Sequence, residues 1–185
     1  LVIGEADKSE RTVIAVPAFA TPATVATSAE GGNTAVLGHN IANVITANLE
    51  RSGLYKPMGP GQVRAIAFGE VAAPQYASWR GIGAEALVQG FVRANPDGNL
   101  TIGCYLYDID LGSEQSRQGF VVAPADWRRA AHKCSDMIYS RLSGESPFFD
   151  SRIAYIAETG PKNNRQKRLA VMASDGQNHR FITVG

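Results

Sequence analysis

Four residues near the middle of the chain, Asn95-Pro96-Asp97-Gly98, separate two stretches that must double back on each other. Proline presets one backbone dihedral, aspartate can accept a hydrogen bond from its own main chain, and glycine accepts a positive φ. Beyond the turn, Leu100, Ile102, Cys104 and Leu106 alternate with Thr101, Tyr105 and Tyr107. A period of two marks a strand with one face buried. Before the turn, Ala86–Arg93 is the apolar partner. The spacing predicts a β-hairpin, and the architecture has to be built around it. A third strand, about Gln118–Ala123, extends the meander after a loop at Gly112–Arg117.

The flanking elements alternate with helices. Thr12–Val16 is a continuous apolar run, as in a strand buried on both faces, and Pro17 ends it. A loop rich in Pro, Ala and Thr runs through Gly32. The helix Val36–Ser52 follows, with Ile41, Val44, Ile45, Asn48 and Leu49 at helical spacing and Gly53 placed for a left-handed cap. Tyr55–Met58 leads away to a strand at Val63–Phe68. Gln75–Gly83 reads as a short helix with Trp79 and Ile82 facing inward. Pro124 opens the last long helix, whose stripe is Trp127, Ala130, Ala131, Cys134, Met137, Ile138 and Leu142, and Gly144 ends it. The order β-α-β-α-β-β-β-α predicts an α/β fold, a small mixed sheet flanked by helices, over residues 12–150. Residues 151–185 change grammar. Arg152–Glu158, Arg168–Ala173 and Arg180–Val184 read as strands, with a turn at Asp175-Gly176. Two or three strands alone are marginally stable. They are expected to pair with another copy, dock on the α/β part, or be poorly ordered.

Composition narrows the function. Of 185 residues, 44% are apolar and 19% charged, a globular balance that excludes disorder and coiled coil. No run of 18 apolar residues exists, so no spanning helix is expected. The net charge of +1 makes no general case for nucleic acid. The charge is uneven: residues 1–150 carry 12 Lys and Arg against 15 Asp and Glu, a net of −3, whereas residues 151–185 carry 6 against 2, a net of +4. That shift supports a boundary near Asp150. It reads either as two solvated surfaces of different sign or, more sharply, as a basic patch that docks a partner. Residues 1–11 read as a flexible arm or loose edge strand with no signal peptide visible.

Catalytic chemistry is hard to find. His39, His132 and His179 stand apart from one another and read as surface or capping residues. Asp108, Asp110 and Glu114 could gather near a strand end to bind a cation, but they lack EF-hand spacing, and solvated acids are the simpler reading. Gly81-Ile82-Gly83 follows a helix, so it is a turn, not a phosphate cradle. Tyr105 and Tyr107 could stack bases, although packing against a helix fits better. Cys104 and Cys134 each lie on an apolar face. Two small buried thiols is the simpler reading, and a disulfide, which would need an oxidising compartment, is the alternative. Two cysteines exclude a disulfide framework and a four-cysteine zinc site. No catalytic residue, cofactor or metal is expected.

Several motifs in order carry a resemblance. They are Val13-Ile14-Ala15-Val16-Pro17; the helix end Asn48-Leu49-Glu50-Arg51-Ser52-Gly53 before Tyr55-Lys56-Pro57; the stretch from Trp79 to Gly90; Arg141-Leu142-Ser143-Gly144-Glu145; Asp150-Ser151-Arg152-Ile153-Ala154-Tyr155; and Ala170–Gly176. Together they cover almost the whole chain, which resembles the TolB family, the periplasmic component of the Tol-Pal system. The resemblance implies an N-terminal α/β domain similar to anticodon-binding domains, followed by a six-bladed β-propeller. It implies export to the periplasm, binding of the lipoprotein Pal through the propeller and of TolA through the extreme N-terminal segment, roles in outer-membrane constriction at division and in envelope integrity, and recruitment by colicins. On this reading residues 151–185 are an incomplete first blade, since a blade of this kind takes roughly 40–45 residues. Leu1, Val2 and Ile3 match the end of the family's hydrophobic N-terminal stretch and are the candidate TolA contacts, made by adding a strand to a partner's sheet edge. The alternative is a nucleic-acid-binding module by analogy of fold, against which the acidic α/β part argues.

Overall fold

The hairpin forms as the turn chemistry requires. In the computed structural model, which describes residues 11–183, Gly98 has φ +86° and its N–H donates to Asn95 O at 3.0 Å. The Asp97 carboxylate accepts from Asn99 N at 2.9 Å. The two strands, β3 (Ala86–Ala94) and β4 (Leu100–Asp108), pair antiparallel over nine residues each. Leu100, Ile102, Cys104 and Leu106 are fully buried on one face.

Around this hairpin stands a five-stranded sheet in the order β2-β1-β3-β4-β5. The strand β1 (Thr12–Ala15) lies inside it, parallel to both β2 (Tyr55–Met58) and β3, while β5 (Ser113–Val122) closes the far edge antiparallel to β4. The helices α1 (Thr34–Arg51) and α3 (Trp127–Ser143) cover one face and build the main core with Ile14, Val88, Ile102 and Leu106. Asn33 caps α1 by accepting from Ala35 and Val36 N–H, which satisfies two donors a helix start leaves open. Gly144, at φ +74°, closes α3. The short helix α2 (Tyr76–Gly81) and the loop before it cover part of the other face, with Trp79, Ile66 and Val71 packed on Leu87 and Tyr107. The predicted α/β fold with a mixed sheet and flanking helices is what the chain adopts.

Four local expectations are corrected. The second strand is Tyr55–Met58, not Val63–Phe68. An edge position tolerates Pro57, which lacks an N–H, so the segment that seemed to lead away pairs with β1. Val63–Phe68 adds no strand; it drapes over the sheet and buries only Ile66. Ile82 is half-exposed, whereas Trp79 is buried as expected. The strand β5 starts at Ser113, five residues early, and takes in most of the supposed loop. A register shift opposite Leu106 and Tyr107 absorbs one extra residue there. Leu142, expected in the apolar stripe of α3, is exposed.

Beyond Asp150 a separate three-stranded antiparallel sheet forms from β6 (Arg152–Thr159), β7 (Gln166–Ala173) and β8 (Arg180–Phe181). The third strand is shorter than expected, and Val184 lies outside the described residues. Only Ala170 of this sheet is buried. The sheet docks on the α/β part by the Ser174–Gly176 turn at one of its ends, not by a face.

Candidate functional site: a buried polar joint between two sheets

Where α1 meets α3, the apolar stripe of α1 is interrupted by Asn48, which is fully buried. Its amide nitrogen donates to Ser135 Oγ at 2.9 Å and reaches His132 Nδ1 at 2.9 Å. Arg51 donates to its Oδ1. Ser135 commits its own proton to Ala131 O at 3.0 Å, so it accepts from Asn48. These bonds fix the amide orientation, and with it the imidazole tautomer: His132 Nδ1 accepts, so Nε2 carries the proton. Nε2 lies 3.1 Å from Asp175 Oδ2, within ion-pair distance although not aligned for a hydrogen bond.

Asp175 belongs to the turn of the second sheet. It also meets Arg128 at 3.2 Å and accepts from Gln177 N at 3.0 Å. Arg128 stacks over Trp127 and reaches Glu30 at 3.7 Å. Next to this contact the linker is clamped. Asp136 of α3 accepts from Phe149 N at 2.7 Å and Asp150 N at 3.1 Å. Ser174 Oγ donates to Phe149 O at 2.6 Å. Arg129 pairs with Asp150 at 3.3 Å, at the rim of a cleft of about 220 Å³ that Arg152 and Arg180 also line.

Burial sets the electrostatics. Desolvation pushes His132 below its ordinary value, and the nearby Asp175 only partly offsets it. Burial also pushes Asp175 up, but the Gln177 N–H, His132 and Arg128 together outweigh it and hold the carboxyl low. Asp136 is raised, because its burial exceeds the help from the two backbone donors. The joint is therefore a neutral imidazole and an ionised aspartate, packed between two helices and a turn. Its chemistry is that of a fastening whose charge state matters.

His132, expected at the surface, is thus 3% exposed and central. The signal that could have found it was Asn48, a polar residue inside a helical apolar stripe that needs a buried partner. His39 and His179 are exposed, as expected. Leu1, Val2 and Ile3 lie outside the described residues. Cys104 and Cys134 are joined in a disulfide with Cα atoms 6.1 Å apart, pinning α3 to β4; of the two readings open for these thiols, the bonded one holds. The acids near the end of β4 do not converge. Asp108 accepts from Leu111 N, and Glu114 pairs with Arg117. Tyr107 is buried and donates to Val71 O at 2.7 Å with Tyr76 of α2 packed edge-on, so it is a packing residue. Among the described residues no helix is long and apolar enough to cross a membrane.

Comparison with known proteins gives these features a family. Residues 5–115 match the model of the TolB amino-terminal domain. A protein of Sphingopyxis alaskensis named Tol-Pal system protein TolB is 64% identical over 176 residues, covering 95% of this chain and 38% of that protein. Tol-Pal system protein TolB 1 of Novosphingobium aromaticivorans is 61% identical over 172 residues, covering 93% of this chain and 38% of its own length. The chain thus spans well under half the length of the curated relatives it matches. The crystal structure of TolB from Acinetobacter baumannii superposes with a TM-score of 0.70 at 20% identity, over 95% of this chain and 39% of that one, a likeness of fold. With the family model matching well over half of its residues, the chain belongs to the TolB family.

Proposed function

We propose that this chain is the amino-terminal portion of a non-enzymatic periplasmic adaptor of the Tol-Pal system, linking TolA and the lipoprotein Pal in outer-membrane constriction during division and in envelope integrity. The observation that carries this reading is the shared name of the relatives: proteins 61% and 64% identical over more than nine-tenths of the chain are Tol-Pal system proteins. The buried Cys104–Cys134 disulfide supports an oxidising compartment such as the periplasm. On this reading residues 1–11 are the arm, residues 12–150 the α/β domain, and residues 151–185 the opening of the first propeller blade. Leu1, Val2 and Ile3 engage TolA by strand addition, Pal binds the propeller, and colicins are a further class of partner. The polar joint at His132 and Asp175 supports a role for the domain boundary, since it ties the α/β part to the sheet on the propeller side.

The test is made on a full-length version. Deleting residues 1–10 should abolish TolA binding in calorimetry while leaving Pal binding intact. Unchanged affinity for TolA would remove the assignment of the arm.

A further inference from the structure

The two edges of the five-stranded sheet differ in protection. β2 is four residues long and carries Pro57, two devices that discourage further pairing. β5 is ten residues long with no proline, and past the register shift at its start only Arg117 is charged among Ser116–Val122. Among the described residues, no strand pairs with one line of its backbone groups. Beside that edge runs a seam between β5 and α3, floored by Met137 and lined by Ser116, Gln118, Lys133, Ser140 and Arg141.

The seam has a register. Ser116, Gln118 and Phe120 stand opposite Leu106, Cys104 and Ile102, so they face the helix side of the sheet. Arg141 donates to Gln115 Oε1 at 3.1 Å, and Lys133 sits 6.0 Å from the Phe120 ring, so the helix runs antiparallel to β5. Lys133, Met137 and Arg141 are spaced by four, a single row of cation, apolar group and cation about 12 Å long. Alternate side chains i, i+2 and i+4 of a strand span about 13 Å. The nearby acids are already engaged: Asp136 accepts two backbone N–H groups, Glu114 pairs with Arg117, and Glu145 accepts from Tyr139. Neither Lys133 nor Arg141 forms an ion pair among the described residues. The hydroxyl oxygen of Ser140, at the seam, is buried without a hydrogen-bond partner.

We propose that β5 and α3 form a docking groove for an extended acidic segment of another protein, added as a sixth strand to the β5 edge. Its helix-facing positions carry a carboxylate, an apolar residue and a carboxylate at i, i+2 and i+4. The apolar side chain covers Met137 while the carboxylates meet Arg141 and Lys133. Main-chain hydrogen bonds supply affinity and this three-position pattern supplies specificity. The proposal does not depend on the Tol-Pal reading.

The test uses the 185-residue chain, labelled with 15N, and a capped peptide containing Glu-Thr-Leu-Thr-Glu, with Lys-Thr-Leu-Thr-Lys as its counterpart. The acidic peptide should give saturable shifts confined to Ser116–Val122 and Lys133–Arg141, weakening as salt rises. The double change Lys133→Glu, Arg141→Glu should weaken it by at least about tenfold and turn the preference toward the basic peptide, because like charges then face each other. If that variant loses its native spectrum, Lys133→Gln and Arg141→Gln are read singly, each with an expected loss of about threefold. Absence of saturable shifts, shifts mapping elsewhere, or equal binding of the two peptides overturns the proposal. So does a dimer in sedimentation whose β5 shifts depend on concentration without peptide, which would assign the edge to a second copy.

Discussion

The two sheets of this chain are held by different physics. The five-stranded sheet hides Leu87, Val88, Ile102 and Leu106 between two long helices and a covering loop, and a disulfide crosses its main core. The three-stranded sheet leaves Ile153, Ile156 and Phe181 exposed and buries Ala170 alone. Its own apolar burial is too small to offset the entropy of ordering it. What holds it to the rest is polar: Asp175 against His132 and Arg128, and Ser174 against the Phe149 carbonyl. A hydrophobic core gives stability that depends little on pH, whereas a buried polar fastening is conditional on every partner and on charge.

Truncations in the two sheets should therefore differ most. Ile102→Ala is expected to cost about 2 to 5 kcal/mol, the range for deleting a fully buried aliphatic group. Ile156→Ala, at 57% exposure, should fall within about 0.5 kcal/mol of wild type. Urea unfolding of both variants measures the gap, and similar costs would break the contrast.

Removing the disulfide by Cys104→Ala, Cys134→Ala is expected to destabilise the α/β part by about 2 to 4 kcal/mol, in keeping with closure of a 30-residue separation. Amide exchange in β6 and β7 should stay unchanged if the effect is confined to one side of the joint. Asn48→Ala leaves the His132 nitrogen and the Ser135 hydroxyl without their donor and should cost about 1 to 3 kcal/mol. Here the loss should show on both sides, as faster exchange in α1 and α3 and around Ser174. An effect confined to the helices would show that the joint fastens nothing.

Acidification sharpens the same contrast. His132 has its folded value lowered by burial, so below about pH 6.5 the open or unfolded state binds more protons than the folded one. The stability it contributes is full above that value and falls as the pH drops toward its folded value. Asp175, held low, adds a loss at still lower pH, as the medium passes through its folded value. Protection factors in the second sheet, taken relative to the intrinsic exchange rate at each pH, should fall from pH 7 to 5, and His132→Gln should flatten that response. A small effect is also expected from Arg129→Gln. Its pair with Asp150 is largely solvated, and pairs of that kind contribute less than about 1 kcal/mol. A larger loss by thermal melting would mean that the rim of the cleft matters more than the buried contact.

How much of this could be read in advance depended on the range of the interaction. The hairpin was legible because its turn and its alternation are local. The strand β2 was not, since its four residues include a proline and depend on β1, more than forty positions earlier. The early half of β5 was hidden by its polar residues, Ser113 to Arg117, which suit an edge but carry no apolar period. His132 was hidden for a different reason. Its partners Asn48 and Asp175 lie 84 positions before it and 43 after it, so only the packing of α1 on α3 brings them together. The disulfide stood halfway: each cysteine was visible on an apolar face, while their bonding required the helix to lie over that face.

The most direct test is residue-resolved hydrogen exchange on the wild-type chain and on Asp175→Asn at pH 7. The account predicts that β1, β3 and β4 keep their full protection in the variant, while β6 and β7 lose most of theirs. Equal protection of both sheets in the variant, or loss of both together, would contradict the view that a polar joint is what fastens the second sheet.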